Sequence, residues 1–119
     1  RHLDDARVDV VVIEVADGLF QGETAALVQQ SAFRARVDGI VFAAADSMGA
    51  AGGVEWLERR GLPVLALGGM LTTAPLAARE ASQATRLPIL SSEELASESH
   101  ARALLAELDL RRLPTESRA

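Results

Sequence analysis

Short, nearly continuous apolar runs alternate along this chain with stretches of helical period, and glycine, proline or aspartate separates one from the next. Residues 8–15 (VDVVVIEV) form a β-branched run of strand length, and its hydrophobicity predicts a strand buried on both faces of a parallel sheet. A two-glycine turn (ADGLFQG) leads into residues 22–37, where Leu27, Val28, Ala32 and Ala35 share one helical face. Residues 40–45 (IVFAAA) predict a second strand, and residues 49–60 a second helix with Val54 and Leu57 inward, stopped by Gly61 and Pro63. Residues 64–67 predict a third strand, closed by Gly68 and Gly69. The helix after it has Thr72 or Thr73 as cap, Pro75 in its first turn and a buried stripe of Leu76, Ala77, Ala81 and Ala84. Residues 88–90 predict a short fourth strand, and Ser91 with Glu94 has the spacing of a capping box that opens a last helix over residues 95–108.

Four βα units in succession imply an α/β fold. The expected architecture is a parallel sheet of about four strands with right-handed crossovers, in a three-layer α/β/α sandwich of Rossmann-like kind. Residues 1–110 would form a single domain, with a solvated lead-in over residues 1–7 and a frayed tail over residues 111–119.

Composition narrows the chemistry. The absence of Cys excludes disulfides, thiolate metal sites and a cysteine nucleophile. All 12 basic residues are Arg, which excludes a lysine Schiff base and a G-x-x-x-x-G-K-[ST] phosphate loop within these residues. A net charge of -5 argues against a nucleic-acid backbone as partner. No apolar run has the length of a membrane-spanning helix, so no membrane partner is expected, and cytoplasm is the default location. The first residue is Arg1 rather than Met, which points to a processed product or a piece of a longer polypeptide.

In an open parallel sheet, ligands sit beyond the carboxyl ends of the strands, where helix N-termini present free N–H groups. That rule selects Glu14, Asp17 and Gly18 after the first expected strand, and Asp46, Ser47 and Gly49 after the second. Gly68 and Gly69 follow the third, and Ser91 and Ser92 the fourth. Glu14 stands out because a carboxylate in a run of Val and Ile pays a desolvation cost unless a cation or a donor meets it. It either binds a divalent ion or ends the strand by capping a helix or reaching water. Asp17 and Asp46 lie in ordinary turn dipeptides. Gly49, Gly52 and Gly53 open a helix either for an anion or for close packing. His2 and His100 have no second ligand at helical spacing, Trp56 reads as core or interface, and no serine sits in a G-x-S-x-G elbow.

The strings VDVVVIEVADGLFQGETAAL and DSMGAAGGVEWLERRGLPVLALGG resemble the second half of dethiobiotin synthetase-like P-loop enzymes, over roughly residues 8–90. The resemblance implies an enzyme that uses ATP and Mg²⁺ for carboxylation-coupled ring closure of a diamine, acting as a homodimer. It places Glu14 where the family holds Mg²⁺, and Ala16 and Gly18 in register with the family's later Ala and Gly. Val15 and Asp17 replace glycines of that motif. Ser47 and Gly49 fall in the family's small-residue turn, Gly68 near its base-reading Asn, which is missing, and TRLPILSSEEL, with Ser91, near the adenine. The phosphate-cradling half is absent from these residues. The implied partner is therefore a missing N-terminal phosphate-loop half, in cis or in trans, and a homo-oligomer is expected. Two other readings accompany this one: a non-catalytic module that binds a small anion or a partner chain, and an oligomerisation domain.

Overall fold

The computed structural model describes residues 10–112, with side chains as far as residue 108. Helices dominate. They are α1 (Gly22–Gln29), α2 (Ser31–Arg36), α3 (Ser47–Arg59), α4 (Pro75–Thr85), α5 (Ser92–Ala96) and α6 (Glu98–Arg112), with a 3₁₀ turn over Met70–Thr73. Two strands, β1 (Ile40–Ala43) and β2 (Val64–Gly68), pair in parallel. A single parallel bridge joins Leu67 of β2 to Ile89.

The expected sheet of about four strands in a Rossmann-like sandwich is therefore corrected: among the described residues the sheet has two strands. Residues 10–15 are not a strand, and they are exposed. Val12 keeps 89% of its surface and Ile13 69%. A β-branched run becomes a strand only where a neighbour takes its N–H and C=O groups, and among the described residues none pairs with it. Val8, at the start of that expected strand, lies outside the described residues. Residues 88–90 contribute only the bridge, because Pro88 offers no N–H and Ser91 already begins the next helix. Leu67 N–H donates to Pro88 O and Leu90 N–H to Leu67 O, at 2.9 and 2.8 Å.

Two expected helices are each divided. Gln30 takes an extended conformation (φ -71°, ψ 132°) between α1 and α2. Val28 is buried on α1, whereas Ala32 and Ala35 are exposed. Ser97 (φ -81°, ψ 143°) likewise separates α5 from α6. Polar residues that bond their own backbone favour such breaks, and Ser97 accepts the His100 N–H at 3.3 Å. Arg111 and Arg112 of the expected tail belong to α6, and residues 113–119 lie outside the described residues, as does the lead-in.

The centre of the chain follows its sequence closely. Asp46 caps α3 by accepting the Gly49 N–H at 2.6 Å, and Val54 and Leu57 are buried. Gly61, at φ 76°, ends the helix, with Leu62 N–H returning to Leu57 O at 3.1 Å. Every residue of β2 is buried, and Leu57, Leu62, Val64, Leu67 and Leu71 form the fully enclosed centre of the core. In α4 Pro75 is in the first turn, but Ala74 precedes it with no side-chain cap, so neither threonine caps it. Of the expected stripe only Ala81 is fully buried. Leu76 remains 63% exposed.

Candidate functional site

The parallel strands run their carboxyl ends to one edge, and the core fixes what stands there. Ala44, just past β1, donates its N–H to Gly68 O and accepts the Leu71 N–H, both at 3.0 Å. This holds the Gly68-Gly69 turn against the end of β1. Gly69 has φ 89°, and a Cβ built on it would meet Ala44 N and O at 2.8 Å. Gly68 faces the bridge segment, where a Cβ would meet Leu90 O and a Leu95 methyl, each at 3.4 Å. Glycine at these two positions lets three chain segments converge.

Helix starts surround the turn. Ser47 begins α3 and its hydroxyl donates to Glu80 Oε1 of α4 at 3.2 Å, tying two helices together at this edge. Gly49 lies under the Asp46 carboxylate. Ser91 follows Leu90 and opens α5 with the expected capping box: its hydroxyl accepts the Glu94 N–H at 3.1 Å while Glu94 Oε1 accepts the Ser91 N–H at 2.9 Å. That backbone hydrogen bond holds the Glu94 carboxyl below its ordinary value; burial opposes it, and the Ser91 hydroxyl and the nearby His100 lower the value further. Glu94 Oε2 lies 3.5 Å from His100 Nε2, and His100 Nδ1 is 2.6 Å from Ser97 Oγ.

The structure thus brings Ser47, Gly49, Gly68, Gly69 and Ser91 to one rim. Glu14 and Gly18 make no hydrogen bond or ion pair to it among the described residues. Glu14 is exposed in a segment without regular secondary structure, and nothing lies within 4 Å of a Cβ built on Gly18. No group of three or more His, Cys, Asp or Glu residues able to hold a metal ion forms among the described residues.

Sequence reasoning passed over Glu80, whose pairing with Ser47 across 33 positions leaves no local signal. It also passed over the surroundings of Trp56. The Arg60 guanidinium carbon lies 3.7 Å from the Trp56 ring centroid, and Phe20 meets the same ring edge-on at 6.0 Å. The Trp56/Arg60 spacing of four residues on one helix was the available signal. An open groove of about 520 Å³ lies between α3 and the end of α4, lined by Ala51, Val54, Glu55, Glu58 and Thr85 among others. It draws on α3 from Ala51 onward and on the last turn of α4, so it lies beyond the rim rather than in it.

Compared with family models, curated proteins and solved structures, the chain matches none. No helix among the described residues is long and apolar enough to cross a membrane.

Proposed function

We propose that this chain is the C-terminal half of a dethiobiotin-synthetase-like, ATP- and Mg²⁺-dependent enzyme, inactive alone because the phosphate loop belongs to another segment. One observation carries the reading: the carboxyl ends of two parallel strands and of the Ile89 bridge open onto Gly68-Gly69, Ser47 and Ser91 at a single rim. Helix starts at such a rim are where α/β proteins take nucleotides. Asp46 and Glu94 already accept N–H groups at those starts, so the rim is acidic and favours a ligand whose phosphates arrive neutralised by a divalent ion. In this proposal Glu14 contributes one oxygen ligand to Mg²⁺ and the phosphate-loop half supplies the rest. The ion would offset phosphate charge, while the rim's glycines let backbone approach the base and sugar.

The test is thermal unfolding of the chain with Mg²⁺ and ATP, ADP or CTP, alone and co-expressed with the segment encoded upstream of Arg1. A ligand present at a hundredfold over its Kd stabilises the folded form by about 2.7 kcal/mol, an easily measured rise. The expected outcome is a nucleotide- and Mg²⁺-dependent rise in the co-expressed pair that Glu14→Ala removes with folding intact. An upstream segment without a strand and a G-x-x-x-x-G-K-[ST] loop, or no rise with any nucleotide, rejects the reading.

The exposure of Glu14 favours a second reading, a non-catalytic module that binds a small anion at the same rim. Stabilisation of the chain alone by inorganic phosphate or a carboxylate, independent of Mg²⁺, would distinguish it.

A further inference from the structure

We infer that two copies of this chain associate by strand addition, residues 10–13 of one copy lying along the free edge of β1 in the other. Both halves of the pairing are present in each molecule. Residues 10–13 (VVVI) are uncharged and β-branched, and they are exposed on every side chain, from 43% at Val11 to 89% at Val12. β1 (IVFA) is equally uncharged and of the same length, and among the described residues it pairs with β2 alone. Its Val41 is 42% exposed and Ala43 is exposed as well, so one face of this strand is also open.

A two-stranded sheet is marginal in water, and an uncharged edge without lysine or proline invites another strand. Within one molecule residues 10–13 stay off that edge. A second copy satisfies both at once: each copy gives one strand and receives one, the reciprocal arrangement of a two-fold dimer. The sheet of each copy grows from two strands to three. The inference does not depend on nucleotide binding, and either can fail while the other stands.

Sedimentation of the whole chain over a wide concentration range tests it, together with hydrogen exchange of the residue 10–13 and β1 amides. The expected result is a monomer–dimer equilibrium in which protection of both segments rises with protein concentration. Val12→Lys should weaken association about tenfold or more, since a charge on an added strand opposes pairing, while Val12→Thr keeps the β preference and should dimerise nearly as the parent does. Because Val12 is 89% exposed, both variants should retain the parent's far-UV circular dichroism. A monomer at all concentrations, a dimer indifferent to Val12→Lys, or protection that is independent of concentration would each overturn the inference, the last by showing pairing within one chain.

Discussion

Gly69 is seated against the backbone of Ala44, with 2.8 Å between a built Cβ and both the N and O atoms of that residue. The two Ala44 groups are also committed to hydrogen bonds with Gly68 and Leu71, so neither can withdraw. At φ 89° an L side chain is strained even without the clash. Gly69→Ala should therefore destabilise the chain by about 2 kcal/mol or more, read as a lower midpoint in urea. Nucleotide- or anion-induced stabilisation should fall in the same variant, because the turn that shapes the rim is displaced.

Gly52 and Gly53 are neighbours in α3 with opposite surroundings. A Cβ on Gly52 meets nothing within 4 Å, so Gly52→Ala should stabilise by about 0.5–1 kcal/mol through helix preference alone. On Gly53 the added methyl would run into the Phe42 ring, which packs on the core from β1. Overpacking of this kind costs about 1–3 kcal/mol and exceeds the helix gain, so Gly53→Ala should melt below the parent. Thermal melts of the two variants side by side check the opposite signs.

The parts of the fold legible in the sequence were those decided within a few residues of themselves. α3 was bounded by Gly61 and Pro63, its inward positions Val54 and Leu57 follow the helical period, and Ser91 with Glu94 spelled its own capping box. Residues 8–15 had the composition of a buried strand, but a strand is completed by a distant partner, and composition does not say whether one is present. Gln30 and Ser97 broke two helices whose apolar period ran straight across them. At the rim, the rule of strand ends picked out Gly68, Gly69, Ser47 and Ser91. The Ser47–Glu80 hydrogen bond that ties the rim together depends on how α3 meets α4, which no local pattern encodes.

The capping box at α5 gives a pH signature. Glu94 has its carboxyl value lowered in the folded chain, first by the Ser91 backbone hydrogen bond. A depressed folded value means the stabilisation is complete above the ordinary carboxylate range and disappears as pH falls through the lowered value. Glu94→Gln keeps an acceptor for the Ser91 N–H but cannot titrate. The difference in stability between parent and Glu94→Gln should therefore shrink, or reverse, as the solution is acidified, when urea midpoints are followed over that range. Ser91→Ala removes the acceptor for the Glu94 N–H and should cost about 1 kcal/mol at neutral pH.

Trp56 is the sole tryptophan, so its emission reports directly on the stack that Arg60 and Phe20 build around it. Arg60 covers one face of the ring and also donates Nη1 to the Trp56 carbonyl at 2.9 Å, four residues back, at the C-terminal end of α3. Trp56 and Arg60 are both half-buried, so Arg60→Ala removes a stack worth about 0.5–2 kcal/mol and uncovers that ring face; stability should fall and the emission should shift to longer wavelength. Lysine restores the charge but not the planar guanidinium, and Arg60→Lys should recover only part of either change. Phe20 is 82% exposed and meets the ring only at its edge, so Phe20→Ala should move the emission with a stability loss of no more than about 1 kcal/mol. If Arg60 and Phe20 hold the ring independently, the double variant should show the sum of the two stability losses. A loss well short of that sum would mean that they lock one conformation of Trp56 together, which ties the turn before α1 to the end of α3.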